Sequence, residues 1–205
     1  MKAIKPYYQI YADINGQEML NKIERCGRVC YKSEGKIEDG SAAKFVANII
    51  KRGHEAVLEH ASFTVKFIVD RGISHEIVRH RIASYCQESQ RYCNYAKDDF
   101  GKEITFIIPH YLDYGTEGFK IWKQAMKECE KAYFQMLDFG CTPQEARAVL
   151  PNSTKTELVM TANLREWRAF FKLRTSLAAH PQMREVTIPL LEELKQIIPV
   201  IFDDL

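Results

Sequence analysis

Apolar residues recur at helical spacing along most of this chain and alternate with polar residues in only a few short segments. The clearest alternation is Phe63–Val69, where every second residue is apolar, and this pattern predicts a half-buried strand. Further strands are predicted at Tyr7–Ala12, Ile104–Ile108 and Thr156–Thr161. Strands and helices do not alternate regularly, so the pattern predicts an α+β fold.

Amphipathic helices fill most of the remaining sequence, and several of them end at a glycine or a proline. The first is expected to carry Cys26 and Cys30 on its apolar face, and Ser41 is expected to cap the second. The predicted helices are residues 19–30, 41–53, 71–80, 122–140, 143–150 and 164–177, followed by a mostly helical C-terminal segment interrupted at Pro189.

Length and composition describe an ordinary globular protein. The chain has 205 residues, of which 46% are hydrophobic and 27% charged, and its formal net charge is +2. One domain spanning residues 1–205 is therefore expected, with no electrostatic argument for a nucleic acid or a membrane as partner. No apolar run could span a bilayer and no secretion signal is visible, so a cytoplasmic protein with six reduced cysteines is predicted.

The stretch Arg79–Arg91 holds the most informative chemistry. Its arginines are difficult to bury without anionic partners. If the end of the stretch is extended, Ser89 and Arg91 point to the same side, with backbone amides between them, an arrangement that suits a phosphate. From the residues alone, a solvated basic loop is the alternative. The polar residues concerned are Arg79, His80, Arg81, Ser84, Ser89 and Arg91.

A second informative feature lies on the helix that begins at Leu164. Leu164, Trp167, Phe171 and Arg174 follow each other at steps of three, four and three residues, which places Arg174 on the apolar stripe. An arginine in this position either extends to solvent, pairs with a buried acid or meets an anionic ligand, and the residues alone leave these alternatives open.

Arg79-His80-Arg81, seven intervening residues, Ser89, one residue and Arg91 resemble the signature of the flavin-dependent thymidylate synthases. The similarity extends from about Gly53 to Glu185. It implies a small mostly antiparallel sheet packed with several helices, and an enzyme that methylates dUMP to dTMP. In that family, 5,10-methylenetetrahydrofolate donates the carbon, and NADPH or NADH reduces FAD, which supplies the hydride. A homotetramer with active sites at subunit interfaces is also implied.

The resemblance assigns roles residue by residue. Arg174 matches the family arginine beside the uracil ring and is the predicted catalytic residue, because a guanidinium stabilises negative charge at N3 and O4 without losing its own proton. The predicted dUMP-binding residues are Glu76, Arg79, Gln87, Glu88, Ser89, Gln90, Arg91, Arg147 and Arg174. Within this set, Glu88 is expected to point away from the anion or to contact the sugar.

The flavin site is assigned in the same way. The predicted FAD-binding residues are His54, Glu59, Arg79, His80, Arg81, Gln87, Asn163 and Arg165. Asn163 could instead simply cap its helix. Ala56, Glu76, Cys86 and Ala169 depart from the family pattern, and no residue is predicted to bind a metal.

Two other classes of protein were weighed. A zinc hydrolase is suggested by His54-Glu55 before His60 and by His75-Glu76 before His80, but both pairs miss the HExxH spacing by one residue. A nucleic-acid module is suggested by arginines interleaved with tyrosines, although the net charge is small and no basic run is present. The residues involved are Arg71, Arg79, Arg81, Tyr85, Arg91, Tyr92 and Tyr95.

Overall fold

A computed structural model of the chain describes residues 1–11, 13–97 and 101–205. The strands are β1 (Lys2–Ile4), β2 (Tyr7–Tyr11), β3 (Ser62–Asp70), β4 (Ala83–Gln87), β5 (Thr105–Ile107) and β6 (Lys155–Asn163). The helices are α1 (Gly16–Val29), α2 (Ser41–Lys51), α3 (Arg71–Ile77), α4 (Glu117–Asp138), α5 (Pro143–Ala146), α6 (Leu164–Arg174), α7 (Pro181–Ile197) and α8 (Pro199–Phe202). Short 3-10 turns cover Glu34–Lys36, Glu55–His60 and Arg147–Val149.

The main sheet has four strands in the order β2-β3-β6-β4. Strands β3 and β6 run antiparallel, since Leu164 N donates to Ala61 O at one end of the pair and Arg71 N donates to Asn152 O at the other. Sheet and helices together confirm the predicted α+β class. Strands β1 and β4, and the separate parallel pair of β1 and β5, are not among the elements predicted from the sequence.

The first of two compact units comprises Met1–Tyr7, Phe67–Arg79 and Cys86–Val159. Its core lies between β5 and α4, where Phe106, Met126 and Tyr133 are buried. The amino group of Met1 lies 2.9 Å from Oε2 of Glu130, which anchors the start of the chain to α4. The packing of this unit is therefore carried by the long amphipathic helix that the sequence predicts.

The second unit comprises Tyr8–Lys66, His80–Tyr85 and Met160–Leu205. Trp167 of α6 stacks on Phe63 of β3 with ring centroids 4.7 Å apart, and Phe171 meets Phe202 edge-on at 5.7 Å. Arg168 is fully buried, and its guanidinium forms a bidentate pair with Asp204 at 2.6 and 2.7 Å. Helix α6 is thus fixed by an aromatic cluster and by the ion pair between the buried Arg168 and the exposed Asp204.

Several local predictions need correction. Helix α3 ends at Ile77, so the Arg79 cluster follows the helix and does not lie on its last turn. Ser41 is the first helical residue of α2, and Gly40, with φ of 78°, holds the cap position. Cys30 is exposed because it lies beyond the last turn of α1. Ala12, at the end of one predicted strand, lies outside the described residues.

Pro189 does not interrupt the C-terminal helix but lies inside α7. Met183, Val186, Leu190 and Leu194 are all buried on both sides of the proline. Continuous packing of this apolar face therefore outweighs the hydrogen bond that a proline removes.

A single domain spanning residues 1–205 stays a prediction. No helix of the described ranges combines the length and the hydropathy that crossing a bilayer requires.

Candidate functional site

Helix α6 carries the central residues of the candidate site. Asn163 caps the helix, since its Oδ1 accepts a hydrogen bond from Glu166 N at 2.9 Å. Glu166, Phe170 and Arg174 then follow at intervals of four residues, so they lie on the same face of the helix. Phe170 is buried, whereas Glu166 and Arg174 are half-buried. An acid and an arginine thus flank an aromatic ring along one surface.

His80 bridges this acid and this arginine. Its Nδ1 lies 3.2 Å from Glu166 Oε1, and its Nε2 accepts a hydrogen bond from Arg174 Nε at 3.0 Å. The imidazole ring meets the edge of Phe170 at 4.9 Å between centroids. Because an arginine only donates, Nε2 carries the lone pair and Nδ1 carries the proton that Glu166 accepts. The contacts therefore define one tautomer of His80.

The electrostatics agree with a neutral histidine. Burial, and then the charge of Arg174, lowers the pKa of His80 from 6.5 to about 4. Burial raises the pKa of Glu166. Burial, followed by the nearby Glu166 and partly offset by Arg81, raises the pKa of Tyr85 to about 12. At neutral pH, His80 is therefore an uncharged acceptor for Arg174.

A cavity of about 330 Å³ opens at the N-terminal end of α6. It contains four residues predicted to bind the flavin, and two of these, Arg165 and Glu59, form an ion pair at 2.6 Å. Arg81 donates to the carbonyl oxygen of His80 at 3.1 Å. The residues that line the cavity are Glu59, Arg81, Ile82, Asn163, Arg165, Glu166 and Ala169.

Other predicted flavin residues do not line this cavity. His54 is exposed, and its Nδ1 lies 3.3 Å from the hydroxyl of Tyr31. His80 lies behind the cavity wall as the partner of Glu166, with only 9% of its surface exposed. Arg79 is an exposed residue of the first unit. The structure therefore brings together Glu59, Arg81, Asn163 and Arg165 but not the whole predicted set.

In the first unit, Ser89 and Arg91 lie in a turn. Tyr92 N and Cys93 N both donate to Ser89 O, so the condition of an extended segment is not met here. Within the turn, Arg91 N donates to Ser89 Oγ at 3.3 Å. A hydroxyl and a guanidinium, two groups that suit a phosphate, therefore lie within three residues of sequence.

Arg147 belongs to the same unit and follows α5 directly. Arg91 Nε donates to Gln144 Oε1 on α5 at 2.8 Å, three residues before Arg147. Arg147 is half-buried, and within the described parts of the chain its side chain has no hydrogen bond or ion pair. Two of the arginines predicted to bind dUMP are thus attached to one short helical segment.

Gln87 and Glu88 are held inside the first unit. Gln87 Nε2 donates to Ser74 Oγ at 2.9 Å and lies 3.3 Å from Thr156 Oγ1. Both carboxylate oxygens of Glu88 have partners, namely Tyr95 and Lys155 at 2.9 Å each and the backbone of Glu157 at 3.2 Å. Glu88 is therefore held by partners within the protein, and its orientation relative to dUMP stays a prediction.

The remaining predicted dUMP residues are Glu76 and Gln90, which are both half-buried in the first unit. No three His, Cys, Asp or Glu side chains within residues 1–11, 13–97 and 101–205 are arranged to hold a metal ion.

Glu166 is the main residue that sequence reasoning missed. It lies three residues after a capping asparagine, so its position reads as an ordinary helix start. The spacing of eight residues to Arg174 was a usable signal, because it places both on one face of α6. Its partner His80 could not be paired with it from periodicity, since the two are 86 residues apart.

Comparison with known proteins gives a consistent result. The family model described as "Thymidylate synthase complementing protein" matches residues 14–200. A flavin-dependent thymidylate synthase of Geobacter sulfurreducens is 36% identical over 184 residues, covering 86% of this chain and 78% of its own length. The flavin-dependent thymidylate synthase of Pyrococcus furiosus is 39% identical over 160 residues. The matched region covers 78% of this chain and 65% of the length of that relative.

A solved structure shares the fold. The UMP/dUMP methylase of Streptomyces cacaoi, bound with 5-Br dUMP, matches with a TM-score of 0.79 at 21% identity, covering 99% of this chain and 96% of that one. The family match covers most of the sequence, and the curated relatives exceed 30% identity. The chain therefore belongs to the thymidylate synthase complementing protein family, together with the flavin-dependent thymidylate synthases that it matches.

Proposed function

We propose that this protein converts dUMP to dTMP by reductive methylation, with 5,10-methylenetetrahydrofolate as carbon donor and FAD, reduced by NADPH or NADH, as hydride source. The observation that carries the proposal is Arg174, a family-matched arginine whose Nε is held at 3.0 Å by His80. Family membership supports the substrate and the flavin. The nicotinamide and folate requirements are carried over from the resemblance.

Arg174 supplies the activating charge. For uracil to accept a one-carbon unit, electron density must build up at the ring, with negative charge across N3 and O4. A guanidinium keeps its proton at neutral pH and places fixed donors beside such charge. The neutral His80 adds no competing positive charge next to Arg174. The arginine thus stabilises the transition state more than the ground state, which is the requirement for faster turnover.

No cysteine is needed as a nucleophile in this chemistry. All six cysteines are free thiols. Burial, with the nearby Glu88, raises the pKa of Cys93, which makes this thiol less reactive at neutral pH. Cys93 is therefore poorly suited to attack on the pyrimidine, and activation by Arg174 does not require it.

The cavity on α6 fits part of a flavin nucleotide. Arg81 and Arg165 offer guanidinium donors, Asn163 adds an amide, and Ile82 supplies an apolar surface that is 83% exposed. This donor set suits a group that carries both phosphate and a ring. We assign FAD binding to Arg81, Asn163, Arg165 and Glu59, with His54, Arg79, His80 and Gln87 as further proposed contacts. When bound, FAD supplies the hydride for the methyl group.

The turn at Ser89 provides the proposed phosphate site for dUMP. Ser89 contributes a hydroxyl and Arg91 a charged fork. Arg147 adds a second guanidinium. The other proposed dUMP-binding residues are Glu76, Arg79, Gln87, Glu88 and Gln90, of which Glu88 acts mainly by holding the segment in place.

We further propose that the active form is a homotetramer with sites at its subunit interfaces, that residues 1–205 form a single domain and that the protein works in the cytoplasm. The tetramer and the interfacial site are carried over from the resemblance, and the exposed Arg81, Arg165 and Ile82 are accessible to a second subunit. Light scattering on purified protein measures the assembly directly.

Flavin absorbance tests the proposed function. Purified protein is expected to be yellow, and dUMP is expected to perturb its flavin spectrum. Ser89→Ala and Arg91→Ala are expected to weaken dUMP binding by about ten-fold each, the loss of one charge-assisted contact. Arg25→Ala, an exposed arginine of α1, is the matched control and is expected to bind normally. A colourless protein with salt-sensitive RNA binding would instead support the nucleic-acid module.

A further inference from the structure

Glu166, His80 and Arg174 form a continuous chain of hydrogen bonds beside α6. Glu166 contacts Nδ1 of His80 at 3.2 Å, and Arg174 donates to Nε2 of the same ring at 3.0 Å. The bond to Arg174 is made by Nε, the nitrogen at the base of the guanidinium. The histidine therefore orients the plane of the guanidinium without contacting its outer edge.

His80 is itself held in place on every side. Its carbonyl oxygen accepts from the Tyr85 hydroxyl at 3.0 Å and from Arg81 at 3.1 Å. Its ring packs against Phe170 in a T-shaped arrangement. Phe170 lies one helical turn after Glu166 and one turn before Arg174. Because the backbone and the ring of His80 are both held by contacts, the property that can still vary is the tautomer of the ring.

Glu166 sets that choice. An ionised carboxylate only accepts, so it selects the tautomer with the proton on Nδ1 and leaves Nε2 as acceptor. Without Glu166, the proton can lie on Nε2, where it would face the N–H of Arg174. Two donors facing each other would turn the guanidinium away from its observed position.

We propose that Glu166 is a positioning residue for Arg174, which acts through the tautomer of His80 to hold the guanidinium in its productive orientation. This inference rests on the proposed function, because it names the residue that prepares Arg174 for the uracil ring. Glu166 lines the same cavity as the proposed flavin residues, so one carboxylate links the flavin side of α6 to its catalytic arginine.

The matched control is Glu18. It occupies the same position in α1 that Glu166 has in α6, since Glu18 N donates to its capping residue Asn15 at 3.0 Å and Glu166 N to Asn163 at 2.9 Å. Glu18 is exposed, and no histidine among the described residues forms a hydrogen bond or ion pair with it. Comparing Glu166→Ala with Glu18→Ala therefore separates the tautomer effect from the loss of an acid in the first turn of a helix.

The test is a double-mutant cycle on the dissociation constant of dUMP, read from the flavin spectrum or by calorimetry. Glu166→Ala is expected to weaken dUMP binding about ten-fold in the wild-type background, and less than about two-fold once Arg174→Ala is present. It is also expected to lower kcat more than it raises KM for dUMP. Glu18→Ala is expected to change none of these quantities.

Nitrogen-15 resonances of the His80 ring provide a readout without substrate. The wild-type protein is expected to show the Nδ1–H tautomer, and Glu166→Ala a mixture of both. Additive effects of Glu166→Ala and Arg174→Ala on dUMP affinity, or an unchanged tautomer, would overturn the positioning role while leaving the proposed function intact. Failure of the wild-type protein to bind dUMP at all would refute the proposed function and the positioning role together.

Discussion

Acid should destabilise this protein through one buried histidine. The pKa of His80 falls from 6.5 to about 4 on folding, mainly because of burial and secondarily because of Arg174. Between these two values the unfolded chain binds a proton at His80 and the folded chain does not, so lowering the pH favours unfolding. The stabilisation is fully present above about pH 6.5 and is lost as the pH falls towards about 4.

The magnitude follows from the two pKa values. At about pH 5, the free energy of unfolding should be lower by about 2 kcal/mol from His80 alone, and the full loss below about pH 4 is about 3 kcal/mol. Glu166 works in the opposite direction, because its pKa is raised by burial and its protonation favours the folded state. The net effect of the cluster on stability in acid is therefore somewhat smaller than the contribution of His80.

Urea unfolding monitored by tryptophan fluorescence measures this effect at about pH 7.5 and about pH 5. His80→Gln removes the titrating group, so the variant is expected to lose about 2 kcal/mol less than the wild type between these pH values. His75→Gln replaces an exposed histidine of α3 and should behave like the wild type. Equal losses in His80→Gln and the wild type would refute the view of His80 as a buried neutral acceptor.

Two further predictions concern the internal ion pairs of each unit. Asp204→Ala removes the bidentate partner of the buried Arg168 and should lower the free energy of unfolding by about 2–3 kcal/mol. Asp203→Ala, at an exposed neighbouring position, should change it by less than about 0.5 kcal/mol. Thermal unfolding measures both variants. Glu88→Gln removes the carboxylate that lies 2.9 Å from the half-buried ammonium of Lys155, which keeps Glu157 at 3.0 Å. We expect about 1–2 kcal/mol of destabilisation in urea, and an unchanged midpoint would contradict the role given to this pair.

The local pattern of apolar residues was sufficient to predict the long amphipathic helices and the alternating strand β3. The predicted helix ending at Gly140 corresponds to α4, and the alternating run from Phe63 corresponds to β3. Both depend on burial of one face, which periodicity reports directly. The stripe of α6 was predicted for the same reason, and Arg174 does lie half-buried at its end.

Short segments whose conformation depends on distant partners could not be predicted in this way. Strand β4 is short and has no strong alternation, and it is stabilised by neighbours in the sheet. The turn after it is closed by hydrogen bonds to Ser89 O, which a residue pattern does not encode. Pro189 shows the converse, since tertiary packing preserves a helix that local propensity would break.

In the candidate site, too, residues within a motif could be predicted from the sequence, whereas contacts between distant residues could not. Arg81, Asn163 and Arg165, which the resemblance assigns to the flavin, line one cavity, and their role in binding FAD stays a prediction. The contact between His80 and Arg174 joins residues 94 positions apart, so no spacing rule connects them. What a side chain contacts, and therefore its tautomer and its pKa, emerges only when the strands and helices are placed together.

Formation of dTMP is the measurement that tests the central claim most directly. Flavin-loaded protein supplied with dUMP, 5,10-methylenetetrahydrofolate and NADPH is expected to produce dTMP, and Arg174→Ala, with its flavin and its fold retained, is expected to produce none above background. Normal turnover by the Arg174→Ala variant, or no dTMP from the wild type with either NADPH or NADH, would contradict the account.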